Sequence, residues 1–171
     1  TYKADVQKLH SKLTVEWQEI AELRHKIGRY KVGMALELIK DALEGEEKIV
    51  VFAHHRDVIE ELQMGLAEYF PAVIHGSVPQ PVRQFSVDRF QKDKKCRVFI
   101  GQIQAAGVGI TLTAASHVVF VEADWVPGIM EQAADRVHRI GQKDGVLIQH
   151  LVLEDSLDAH MAKSLVRKQS V

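Results

Sequence analysis

Five short apolar runs limit what this chain can fold into. "KIVVFAH", "AVIHG", "RVFIG", "HVVFVE" and "VLIQHLV" are too short for helices, carry many β-branched residues, and stay apolar instead of alternating. A strand that is apolar on both faces has to be covered on both, which is the condition of a parallel sheet between two helical layers. The intervening segments have helical spacing. From Leu13 to Leu43 the set Val32, Ala35, Leu36, Ile39, Ala42 and Leu43 repeats at steps of three and four, and Gly28 is expected to separate two helices there. Further helices are expected over Arg56 to Phe70, Pro79 to Gln91 and Pro127 to Arg139, with a last one starting near Ser156. The predicted fold is a single α/β three-layer domain with a mostly parallel sheet.

A length of 171 residues fits one domain. There is no internal repeat and no Pro/Gly/Ser linker. The expected organisation is a helical lead-in over 1–28, the α/β body over 29–155 and a trailing helix over 156–171. A formal net charge of −1 supplies no global attraction to nucleic acid, so any such contact must come from local groups. Cys96 is the only cysteine and cannot form an internal disulfide, which points to a reducing, intracellular compartment. No apolar run approaches the roughly 20 residues that cross a bilayer, and no membrane partner is expected. The first residues lack a secretory pattern and read as a boundary inside a longer chain.

Several motifs are missing. The chain has no Gly-x-x-x-x-Gly-Lys-Ser/Thr loop to cradle phosphates, and no Asp-Glu pair at a strand end to hold magnesium. It is therefore not expected to hydrolyse ATP alone. Gly107-Val108-Gly109 lacks the third glycine of a dinucleotide site. His54 and His55 are adjacent and without a suitably spaced third ligand, so no metal site is expected.

The most informative stretch is "EQAADRVHRIGQ", Glu131 to Gln142. Helical spacing would put Gln132, Arg136 and Arg139 on one face, with two guanidinium groups projecting together. Arginine suits the neutralisation of charge on a transferring phosphoryl group, because its planar fork stays charged and grips two oxygens. Glu131, Asp135 and Arg139 also share the four-residue spacing of surface ion pairs.

This string resembles motif VI of the Swi/Snf branch of superfamily two helicases, Gln-Ala-x-Asp-Arg-x-His-Arg-Ile-Gly-Gln. The stretch "VFIGQIQAAGVGITLTAASHVVFVEADWVP" is similar to motifs V and Va, although Gln104 replaces a common basic residue and Val126 an asparagine. "KIVVFAHHRDVIEEL" resembles motif IV. Gly76, Ser77, Arg83, Gln84 and Phe90 follow the family's Gly-Ser…Arg-Gln…Phe pattern, "AELRHKIGRYKV" resembles the Leu-Arg…Gly…Lys lead into the lobe, and "EDSLDAHMAKSLVRKQSV" its trailing helix. The run from Gly109, Gly-Ile-Thr-Leu-Thr-Ala-Ala, is similar to the annealing-helicase branch.

The resemblance implies a RecA-like second lobe, related to P-loop NTPases but without the Walker A loop. It further implies an ATP-dependent translocase on double-stranded or branched DNA, with ATP and Mg bound mainly by an N-terminal ATPase lobe of the same protein. Arg136 and Arg139 would be arginine fingers positioned with Gln132, and Gly107 and Gly109 would approach the nucleotide. His54, His55, Arg56, Gly76, Thr111, Thr113 and Trp125 would face DNA. The compartment would be nuclear in a eukaryote, and the cytoplasm or nucleoid in a prokaryote. Two other readings stay open: a stand-alone module that docks on a partner ATPase, and an RNA helicase lobe. The basic loop Lys92, Lys94, Lys95 and Arg97 reads as a solvated charge run.

Overall fold

Each of the five apolar runs forms a strand in the computed structural model, which describes residues 2–105, 109–124 and 126–169. The strands are β1 (Ile49–Ala53), β2 (Ala72–Ile74), β3 (Val98–Gln102), β4 (His117–Phe120) and β5 (Leu147–His150), in the order β2-β3-β1-β4-β5. All four pairings are parallel; Ile49 to Ala53 lie opposite Val98 to Gln102, and Val50 to Phe52 opposite Val118 to Phe120. Alternation along the strands then divides the core. Val50, Phe52, Phe99 and Phe120 face α3 (Gln80–Lys92) and α4 (Pro127–Asp135), whereas Ile49, Val51, Ile100 and Val119 face α1 (Tyr2–Gly45) and α2 (Arg56–Gly65). The result is the three-layer RecA-like α/β fold, completed by α5 (Leu157–Gln169) packed on α1. Among the described residues, no helix is long and apolar enough to cross a membrane.

Four elements depart from expectation, each for a physical reason. The first helix is a single element from Tyr2 to Gly45 and runs through Gly28 without a break. Gly28 serves close approach: a Cβ there would lie 2.3 Å from the Glu122 Oε2 and 2.8 Å from its Cδ. The second helix stops at Gly65, and a 3-10 turn (Ala67–Tyr69) follows. The Tyr69 carbonyl accepts from the Arg97 N–H at 3.0 Å, and Phe70 takes φ 51° and stays exposed. β5 is an outer strand, so its apolar residues are incompletely covered: Leu147 is 52% and Ile148 40% exposed. α4 ends at Asp135, short of both arginines.

Two cations cap helix ends across the fold. Arg97 donates to the carbonyls of Leu43 (2.6 Å), Glu46 (2.8 Å) and Glu47 (3.0 Å), where α1 ends. Lys48 donates to the carbonyls of Phe90 and, at 2.7 Å, Asp93, where α3 ends. Cations at these positions satisfy orphan carbonyls and oppose the helix dipole. Arg97 thus has a structural task rather than that of a solvated loop charge. Arg97→Ala should cost about 1–2 kcal/mol, lowering the thermal midpoint by about 2–8 °C; an unchanged midpoint in a melting experiment would refute the cap.

Candidate functional site

Two clusters gather most of the residues singled out from the sequence. The first joins the loop before β4 to the segment after α4. Arg139 Nη1 donates to the Ile110 carbonyl (3.0 Å) and to Thr111 Oγ1 (3.3 Å), and the Leu112 N–H donates to the Arg136 carbonyl (2.8 Å). Gln142 Nε2 donates to the carbonyls of Ala115 (2.6 Å), Val137 (3.2 Å) and Thr113 (3.3 Å). Two of these bonds take the Arg136 and Val137 carbonyls, which the Ile140 and Gly141 N–H groups would need in a helix, so the segment after α4 does not run on as one. Helical spacing therefore does not align Gln132, Arg136 and Arg139: Gln132 is exposed on α4, half-buried Arg136 is its C-terminal cap, and exposed Arg139 lies in the following turn. Gly109, exposed at φ 63°, supplies a left-handed turn that other residues rarely adopt. Thr113 Oγ1 accepts from Gln91 Nε2 (3.1 Å), so both threonine hydroxyls are engaged inside the cluster. Gly107 lies outside the described residues, as does Trp125.

The second cluster lies at the carboxyl ends of the strands, the edge where parallel sheets present their sites. His54, His55 and Arg56 leave β1, Gly76 leaves β2, and Gln102 ends β3 between them. Gln102 Oε1 accepts from the Gly76 N–H (2.9 Å), and its Nε2 donates to the His54 carbonyl (3.1 Å). Arg56 is exposed, with Nη1 donating to Ser77 Oγ (2.9 Å) and Nε to Glu60 Oε1 (3.3 Å). Ser77 therefore receives Arg56 and does not cap α3, whose N-terminal cap position is Pro79. Arg83 donates to the carbonyls of Val78 (2.8 Å), Gly76 (3.3 Å), His75 (3.4 Å) and Ala105 (3.4 Å), holding this loop against the one after β3.

The helicase conserved C-terminal domain matches residues 30–141, which hold the second cluster and all of the first except Gln142. The chain belongs to this family. Among its relatives, the mouse "DNA annealing helicase and endonuclease ZRANB3" is 44% identical over 144 residues, 82% of this chain and 14% of that protein. The Caenorhabditis elegans "SWI/SNF-related matrix-associated actin-dependent regulator of chromatin subfamily A-like protein 1 homolog" is 42% identical over 126 residues, 72% of this chain and 18% of that protein. The solved "C-terminal part of Fun30 ATPase domain" is similar with a TM-score of 0.71 and 31% identity, over 75% of this chain and 44% of that one. These likenesses make the chain a Swi/Snf-type C-terminal helicase lobe, and it spans less than a fifth of those two curated relatives.

One residue of this helicase lobe was missed in the sequence. Glu122 follows β4, is 3% exposed, and accepts at Oε1 from the N–H groups of His54 (3.0 Å) and His55 (2.9 Å). Its Oε2 lies 2.6 Å from His55 Nδ1. An acidic residue ending the apolar run "HVVFVE" was the available signal, because a buried charge needs partners. Burial pushes the Glu122 carboxyl up, but the His55 side chain and the His55 and His54 N–H groups together hold it below the ordinary glutamate range. Burial, then the charges of Arg24 and His55, hold the His54 imidazole down despite Glu122 and Asp124.

Acid should unfold this lobe through identifiable groups. His54, His75 and His150 are all held below the ordinary imidazole value of about 6.5, mainly by burial, so the unfolded chain binds more protons near that pH. Their contribution is lost as pH falls through that value. Asp57, which burial raises but the His25 contact at 2.6 Å, the Val58 N–H and the Arg29 charge together lower further, and Glu122 are depressed carboxylates, whose contribution is present above about 4 and lost below it. The melting midpoint should therefore fall continuously from about pH 7.5 to pH 4; a midpoint that rises on acidification would contradict these assignments.

Proposed function

We infer that the chain is the second ATPase lobe of an ATP-dependent double-stranded DNA translocase of the chromatin-remodelling or annealing-helicase type, active only within a longer protein. The lead-in over 1–28, the body over 29–155 and the trailing helix over 156–171 are its working divisions, and an N-terminal ATPase lobe is its partner. One observation carries the reading: Arg139 is tied at 3.0 Å and 3.3 Å to the Gly109–Thr111 loop. The bond joins an exposed guanidinium to a glycine-bearing turn, and half-buried Arg136 lies on the same segment.

The donor set fits a triphosphate: two guanidinium groups, the Gln132 amide and an exposed glycine turn are cationic or donating, as phosphate oxygens require. When bound, ATP with Mg supplies the phosphoryl group whose transfer to water drives the cycle. Gln132, Arg136 and Arg139 would hold it from this lobe, with Gly107 and Gly109 permitting close approach. Loops at the carboxyl edge would meet DNA, with exposed Arg56 and the Gly76 turn as its phosphate-facing groups and His54, His55, Thr111, Thr113 and Trp125 bordering them. Intracellular, nuclear residence would follow for a eukaryotic protein of this kind.

In the full-length protein, Arg139→Ala and Arg136→Ala should each lower duplex-stimulated ATP turnover by about 10³-fold or more while the circular dichroism spectrum is kept. Turnover within about 10-fold of wild type would remove that arginine from the site. Stimulation by RNA rather than duplex DNA would favour an RNA helicase lobe.

A further inference from the structure

The turn that follows β1 is held by one anion. Glu122 Oε1 takes two consecutive backbone N–H groups, those of His54 (3.0 Å) and His55 (2.9 Å), and Oε2 takes His55 Nδ1 (2.6 Å). Successive N–H groups converging on an anion form a geometrically demanding cradle. Because Glu122 is only 3% exposed, water offers no ready replacement for the acceptor. The next residue is Arg56, the exposed cation of this edge, so the orientation of its backbone follows from where the carboxylate sits.

The carboxylate in turn is seated by α1. Gly28 lies so close that an added methyl would come 2.3 Å from Oε2. Three residues earlier, the His25 ring stacks on the His55 ring with centroids 4.4 Å apart and planes 14° apart, and Arg24 donates to the Ala123 carbonyl. Helix, carboxylate and turn are thus in direct contact in series.

We propose that Glu122 is a positioning residue that fixes the His54–Arg56 turn for duplex contact, and that α1, pressed against it at Gly28, sets its place. The role presupposes the duplex contact proposed above. Glu122 touches no reacting group, so its loss acts on DNA engagement and not on the chemical step.

The test is ATP turnover of the full-length protein as a function of the concentration of a duplex oligonucleotide. Glu122→Ala should raise the half-stimulating concentration about 10-fold or more, with turnover at saturating duplex within about 2-fold of wild type. Glu122→Gln keeps an acceptor oxygen and should return the concentration to within about 3-fold of wild type. Gly28→Ala displaces the carboxylate without removing it and should behave like Glu122→Ala, which keeps the question answerable should that variant fold poorly. Unchanged half-stimulating concentrations in Glu122→Ala and Gly28→Ala, alongside a raised value in Arg56→Ala, would overturn the positioning role alone. Unchanged values in all three, or no duplex stimulation of the wild type, would take down both this role and the duplex contact. A lowered melting midpoint with unaltered half-stimulating concentration would make Glu122 merely structural.

Discussion

Because β2, β3, β1 and β4 run in one direction, the chain leaves each of them along the same edge of the sheet, and His54, His55, Arg56 and Gly76 inherit their places from that fact. Loops that converge there bring backbone polar groups close together, and each needs a partner. The partners are side chains from the neighbouring strands: Gln102 bridges the His54 carbonyl and the Gly76 N–H, Glu122 receives the His54 and His55 N–H groups, and Arg83 gathers four carbonyls. The edge is consequently a hydrogen-bonded lattice in which Arg56 is left at the surface.

Helix α1 is fastened to the same region by charge. Lys31, 1% exposed, pairs with Asp158 of α5 at 2.7 Å and donates to the Leu151 carbonyl at 3.0 Å; Asp158 Oδ2 also accepts from the Leu153 N–H at 3.1 Å. A buried ion pair gains little over an apolar contact of the same shape, but either partner alone would be an uncompensated charge costing about 3–5 kcal/mol. Such a pair fixes register. It holds α1 so that Arg24, His25 and Gly28 meet the end of β4 and the turn after β1, which gives a physical reason for the Arg…Gly…Lys part of the lead-in pattern at Arg24, Gly28 and Lys31.

Strand positions were legible because an all-apolar run of five residues has few other uses, and the layers followed from it. Helix limits were less so. Gly28 reads as a break when only local propensity is considered, yet its lack of a side chain serves a contact with Glu122, nearly a hundred residues away in sequence. Beyond α4, Leu112 and Gln142 take the Arg136 and Val137 carbonyls that a longer helix would need, and no pattern within Pro127 to Arg139 announces that competition. The candidate arginines were legible from their local string; the Ile110 and Thr111 partners of Arg139 were not, because the fold alone unites them.

The claim that this lobe brings cationic side chains to a triphosphate held mostly by another lobe is tested most directly by a crystal structure of the full-length protein with a non-hydrolysable ATP analogue and duplex DNA. The account predicts Arg136 and Arg139 guanidinium nitrogens within about 3.2 Å of terminal phosphate oxygens. Both guanidinium groups turned to solvent, or paired with acidic neighbours in the closed complex, would contradict it.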